Sequence, residues 1–163
     1  MNINFLVLIG SAFIPLLVGA IYYGPLFGKK WMNVNGFSEE DLKGSNMAVI
    51  FGVSLLLSFL LSFSMITQAI HQSAIFQLLG ALADGGDAAA KATMDSFMND
   101  YGTLHRTFGH GALHGGFAAV TFVLPIIAIN GLFERRGWTY IGIHFGYWFI
   151  TLMLMGGVIC QFF

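Results

Sequence analysis

Charged residues are scarce in this chain, which also has one cysteine and three prolines. Only 9% of its 163 residues are charged, whereas 56% are hydrophobic. A typical soluble domain carries about 25% charged residues, so this chain lacks the polar side chains needed to cover a water-facing surface. We therefore predict an integral membrane protein of one transmembrane domain, residues 1–163.

Other scarcities exclude further classes of function. The net charge of −1 argues against nucleic acid as a partner, because nucleic-acid binding requires a basic patch. Cys160 is the only cysteine, so no intrachain disulfide can form. The chain shows no glycine-rich phosphate loop, nucleophile elbow or pair of carboxylates at a plausible site. The sequence thus assigns no catalytic residues and favours a protein that is not an enzyme.

Four apolar runs reach the length of about 20 residues that a membrane-spanning helix needs. They cover residues 3–27, 47–70, 108–133 and 138–162. The predicted fold is therefore all-α, an integral membrane four-helix bundle. Pro15 and Pro125 lie inside the first and third runs and predict kinks there.

The segment 71–107, between the second and third runs, is too polar to span a membrane. Residues 74–82 are apolar enough to extend the second helix or to lie in the membrane interface. Asp87 is a good N-cap, and residues 88–101 place apolar side chains on one helical face. We predict a short helix on the membrane surface, with a lid over a site as the alternative.

Positively charged residues indicate the orientation. Five of the seven fall in the two loops that four spans would place on one side: Lys29, Lys30, Lys43, Arg135 and Arg136. Only Lys91 and Arg106 fall on the other side. The positive-inside rule then predicts a multi-pass membrane protein with both termini and the segment 71–107 extracytoplasmic.

Four of the five histidines belong to that extracytoplasmic end. His110 and His114 are four residues apart and share a helical face, with His105 shortly before them and His71 at the end of the second run. Imidazoles in such a group bind zinc, copper, iron or nickel. A bound metal or haem, a site that handles a quinone or protons, and a structural or ligand-contacting polar cluster all remain open. The sequence does not identify a cofactor.

His144 lies in the fourth run, near its cytoplasmic end, and is separated from the other histidines by roughly half the membrane thickness. One metal ion cannot join it to them. We expect a buried neutral imidazole that hydrogen-bonds another helix, with the serines of the second run as candidate partners. These are Ser54, Ser58 and Ser62.

Two Gly-x-x-x-Gly pairs predict close helix packing. Gly111 and Gly115 form one pair and Gly142 and Gly146 the other. Small residues at this spacing let helix backbones approach each other. Packing within the bundle is the plain interpretation, and oligomer contacts or a ligand groove are the alternatives.

The chain also resembles a family of bacterial membrane proteins, domain of unknown function 1761. The resemblance rests on the segment from Tyr22 to Trp31, on His114-Gly115-Gly116 and on Leu132-Phe133-Glu134-Arg135. It implies a small four-span protein of the bacterial cytoplasmic membrane, with no established activity and no catalytic residues to carry over.

These observations favour a small, non-catalytic membrane protein. It would be an accessory subunit or a lipid- or ligand-binding module that packs against itself or a larger membrane complex. The alternative is a histidine site at the periplasmic edge that binds metal or haem or handles a quinone or protons. A transporter ranks third, because four spans are few for one.

Overall fold

The computed structural model describes residues 3–163 and shows seven helices, with no strand in that part of the chain. In order they are α1 (Phe5–Leu26), α2 (Gly28–Asn35), α3 (Met47–Ala69), α4 (Ser73–Asp84), α5 (Ala88–Tyr101), α6 (Phe108–Phe133) and α7 (Trp138–Phe162). The prediction of an all-α fold is confirmed.

Four of these helices, α1, α3, α6 and α7, are long and apolar enough to cross a membrane, with 22, 23, 26 and 25 residues. Their outward faces carry large apolar side chains, such as Leu6, 81% exposed, and Phe133, 87% exposed. A water-soluble protein rarely exposes a continuous apolar surface of this kind. The surface is compatible with a membrane protein.

The core of the bundle is centred on α7, which contacts α1, α3 and α6. Met155 and Ile159 of α7 are fully buried and pack with Leu8 of α1 and Ile66 of α3. Removing such side chains from a core leaves a cavity, so this contact region stabilises the arrangement of the four helices.

Regular α-helical hydrogen bonding is interrupted near both prolines for which a kink was predicted. In α1 the interruption is at Phe13, and Pro15 lies in the first turn of the segment that follows. In α6 a π-helical segment, Ala119–Val123, comes directly before the segment that contains Pro125. Proline lacks the N–H that the preceding turn would use, so the backbone changes its pattern there.

The segment between α3 and α6 forms a helical hairpin of α4 and α5. The chain turns at residues 70–72, so α4 is a helix of its own and does not extend α3. Asp87 caps α5 as predicted, since its Oδ1 accepts from the N–H groups of Ala89 and Ala90 at 2.9 and 3.0 Å. The helix spans Ala88–Tyr101, as the sequence predicts.

The two ends of the described chain meet at the same end of the bundle as this hairpin. The side-chain amide of Asn4 donates to the carbonyl of Phe162 at 3.3 Å. The opposite end carries α2 and the loop between α6 and α7. Four antiparallel helices thus separate one end, which holds the hairpin, from the other, which holds most of the Lys and Arg residues.

Candidate metal centre

The fold gathers four histidines from three segments at the hairpin end. His71 lies in the turn between α3 and α4, His105 in the turn before α6, and His110 and His114 in the first two turns of α6. Ring centroids are 4.8 Å apart for His71 and His114, 5.0 Å for His71 and His110, and 4.6 Å for His110 and His114. The spacing of His110 and His114 places both rings on the side of α6 that meets His71.

Three of these rings point nitrogen atoms at one another. The Nε2 atom of His110 is 2.9 Å from Nε2 of His71 and 3.1 Å from Nε2 of His114. Ligand atoms of all three residues lie within 4.8 Å of one another. Within residues 3–163, no other group of three metal-ligand side chains comes this close.

Hydrogen bonding alone accounts poorly for this geometry. In a neutral imidazole each ring nitrogen is either a donor or an acceptor, so Nε2 of His110 has one hydrogen or one lone pair to share between two neighbours. A tetrahedral zinc ion with bonds of about 2.0–2.1 Å holds its ligand nitrogens about 3.3 Å apart. The two separations from His110 are a few tenths of an ångström shorter, and all three ligand atoms lie within 4.8 Å of one another, so side-chain shifts would accommodate an ion.

His105 lies beside the other three histidines, but its ring nitrogens do not converge with theirs. Its ring stacks on that of His110, with centroids 4.8 Å apart and planes 17° from parallel. Its backbone has φ of 62°, a left-handed conformation that is unfavourable for a non-glycine residue. The Cys160 thiol donates to the His105 carbonyl at 3.4 Å, and the Arg106 side chain donates to the Cys160 carbonyl at 2.7 Å. These contacts with α7 hold the strained turn in place.

Gln72 ties the hairpin to the histidine turn. Its buried side-chain amide donates to the carbonyls of Tyr101 and Leu104 at 2.7 and 2.8 Å. The end of α5, and with it His105, is thereby held beside His71. Sequence reasoning missed Gln72, because a single glutamine next to a histidine carries no recognisable pattern.

Close packing of α6 on α7 sets the rotation of α6. A Cβ atom added at Gly111 would overlap the carbonyl of Gly156, and one at Gly115 would overlap the carbonyl of Leu152. The two α6 histidines directly precede these glycines, about 100° around the helix. The glycine contacts therefore turn both imidazoles to the flank of the α6–α7 interface.

The centre is accessible from outside the protein. His71 is exposed, whereas His110 and His114 are half-buried. Because solvent exposure decreases from His71 to the two α6 histidines, an ion can enter at His71, whereas part of the solvent is excluded on the side of α6.

The other predicted site residues are placed differently. His144 meets the Tyr23 hydroxyl, 3.2 Å from its Nδ1, and not the serines of α3. Ser62 instead donates to the carbonyls of Leu8 and Phe59, because α3 packs on α1 at that depth. The expectation of a serine partner is therefore wrong. Tyr23 lies in the segment on which the family resemblance rests, and sequence reasoning did not identify it as a partner of His144.

The two glycines of the second pair, Gly142 and Gly146, have different surroundings. A Cβ atom at Gly146 would overlap the Tyr22 hydroxyl, so this glycine makes room for an aromatic side chain of α1. At Gly142 a Cβ atom would meet nothing within 4 Å. Gly142 therefore makes no close helix contact within the described chain, and the predicted packing role does not apply to it there.

These features define a class of protein: an all-helical bundle with four apolar helices of membrane-spanning length and a histidine cluster at one end. The chain belongs to the family described as "Protein of unknown function (DUF1761)", whose sequence model matches residues 6–160. No curated protein and no solved structure matches the chain.

Proposed function

We propose that this protein is a small multi-pass membrane protein that binds one transition-metal ion, with zinc the best fit, through His71, His110 and His114. The observation that carries the proposal is the convergence of the Nε2 atom of His110 on those of the other two histidines at 2.9 and 3.1 Å. Neutral imidazoles are borderline ligands that suit zinc, copper and nickel.

The arrangement favours a bare ion over haem. A haem iron takes axial ligands only above and below the porphyrin plane, so it has no use for three nitrogens on one side. Three histidines with an open fourth position resemble the ligand number of zinc centres that keep a water molecule. Metal binding, without a catalytic step, is the function that these contacts support.

Zinc titration of untagged protein in mild detergent tests the proposal. We expect one ion per chain at pH 7.5, and an affinity that falls as the pH is lowered towards 5.5. The affinity falls on acidification because protons compete with the ion for the ring nitrogens, and a protonated imidazole has no lone pair to offer. The absence of stoichiometric zinc at pH 7.5, or an affinity that stays constant from pH 7.5 to 5.5, would contradict the proposal.

The proposed location is the bacterial cytoplasmic membrane, with the metal centre and both termini extracytoplasmic. The orientation is supported by the distribution of Lys and Arg residues, five at one end and two at the other, and the bacterial membrane by the family resemblance. Self-association or docking on a larger complex also remains a proposal. It would need a surface other than Gly111 and Gly115, which pack against α7 of the same chain.

Cysteine labelling in intact cells tests this orientation. Ser45, in the loop before α3, and Ser96, on α5, are both exposed, so Ser→Cys at each is a conservative, matched pair. In a Cys160→Ala background, a membrane-impermeant thiol reagent should label Ser96→Cys and spare Ser45→Cys until the cells are opened. The reverse pattern would invert the orientation, and equal labelling of both would argue against a spanning bundle.

A further inference from the structure

The end of the bundle opposite the metal centre holds an aromatic cavity of about 450 Å³ between α1 and α3. Tyr23, Trp31, Phe51 and Tyr147 supply its aromatic lining. Its α3 rim is exposed, with Ile50 45% and Phe51 51% accessible. The opening thus lies on the apolar outer surface, so that in a membrane its ligand would enter from the hydrocarbon and not from water.

One polar pair adjoins this apolar space. The hydroxyl of Tyr23 is 3.2 Å from Nδ1 of His144, and Nε2 of His144 is buried with no hydrogen-bond partner among the described residues. Nothing at Nε2 therefore selects which ring nitrogen carries the hydrogen. If Nδ1 carries it, the tyrosine accepts and its own hydrogen is free to donate. If Nε2 carries it, the tyrosine donates to Nδ1 and its oxygen is free to accept.

We propose that this cavity binds a membrane-soluble quinone or its quinol, with one ring oxygen on the hydroxyl of Tyr23. A quinone oxygen accepts a hydrogen bond and a quinol oxygen donates one, and the Tyr23–His144 pair can satisfy either. The aromatic walls suit a flat ring, since offset and edge-on contacts between rings are favourable. The hydrocarbon tail of the quinone would extend out of the cavity between α1 and α3. The proposal concerns binding only and is independent of the metal centre.

Trp31 supplies a natural reporter, because it lines the cavity and quinones quench tryptophan fluorescence. The probe is a decyl-substituted benzoquinone added to the full chain in detergent. We expect saturable quenching in the parent protein, and a large decrease of it in Trp31→Phe, since Trp138 and Trp148 do not line the cavity. The reduced probe, the quinol, should compete with the quinone for the same site.

The decisive variant is Tyr23→Phe, which removes one hydroxyl. We expect about 3- to 10-fold weaker binding, the effect of losing one hydrogen bond. Tyr140→Phe is the matched control: its ring lies 4.4 Å from that of His144, but Tyr140 does not line the cavity. Its affinity should equal that of the parent.

Competition on the parent protein gives a test that needs no variant. Decylbenzene has the same tail and a ring without oxygens, so it should compete far more weakly than the quinone. Equal competition would show that the cavity is only a groove for lipid chains and would overturn the proposal. Unsaturable quenching, or equal affinity in folded Tyr23→Phe, would overturn it as well.

Discussion

Changing His110 to alanine should lower the affinity for zinc at least 100-fold. Its Nε2 is the atom that both other ligands approach, at 2.9 and 3.1 Å, so its loss leaves two imidazoles that no longer share a neighbour. Loss of a partner that only orients a metal ligand already costs about 10- to 100-fold in affinity, and loss of the ligand itself should cost more. Zinc titration of untagged protein at pH 7.5 measures the change.

Two other histidines provide controls for this experiment. His144→Ala removes an imidazole at the opposite end of the bundle and should leave zinc affinity unchanged. His105→Ala removes a ring that stacks on His110 without sharing the converging nitrogens, so a loss below about 10-fold is expected, the lower limit for an orienting residue. If His105→Ala weakens binding as much as His110→Ala, the assignment of three ligands is wrong and His105 is a fourth.

Changing Gly115 to alanine should destabilise the bundle markedly. The new Cβ would overlap the carbonyl of Leu152, a backbone atom that cannot swing aside. Overpacking of this kind costs about 1–3 kcal/mol, which for a chain of this size lowers the melting temperature by roughly 2–12 °C. Thermal unfolding in detergent measures it. Zinc affinity should fall too, because α6 must move away from α7 and carry His114 with it.

Gly142→Ala is the matched control for the stability measurement. It makes the same chemical change inside α7, where the added Cβ meets nothing within 4 Å. Alanine favours a helix over glycine by up to about 1 kcal/mol, so this variant should melt at or above the temperature of the parent. Equal melting temperatures for Gly115→Ala and the parent would show that the α6–α7 contact is looser than the structure has it.

Local patterns predicted much of the fold. The helix Ala88–Tyr101 has the predicted bounds because its start depends on a neighbour in sequence, the Asp87 carboxylate. The four long helices follow from runs of apolar residues, which need no knowledge of the packing. The independence of α4 was less clear from sequence, because residues 74–82 suit either a continuation of α3 or a separate helix.

The sequence predicted that four histidines lie at one end of the bundle, but not which of their nitrogen atoms approach one another. Spacing places His110 and His114 on one face of a helix, yet it does not show that the Nε2 atom of His71 approaches within 2.9 Å of His110. That approach depends on the buried amide of Gln72, which holds the end of the hairpin beside the turn at residues 70–72. The serine partners expected for His144 were wrong for a related reason, since depth along a span does not indicate which neighbouring helix faces a residue.

The amino-acid sequence by itself determined the class of this protein, its four long helices, the helix Ala88–Tyr101 and the end of the bundle at which four histidines collect. Composition and periodicity suffice for these, because hydrophobicity and hydrogen bonding within a helix are local properties of the chain. Only the tertiary structure decided which glycine pair packs helix on helix, which histidines share an ion-sized space, and that His144 pairs with Tyr23. These outcomes depend on the rotation and depth of each helix against its neighbours, which packing across the whole bundle sets.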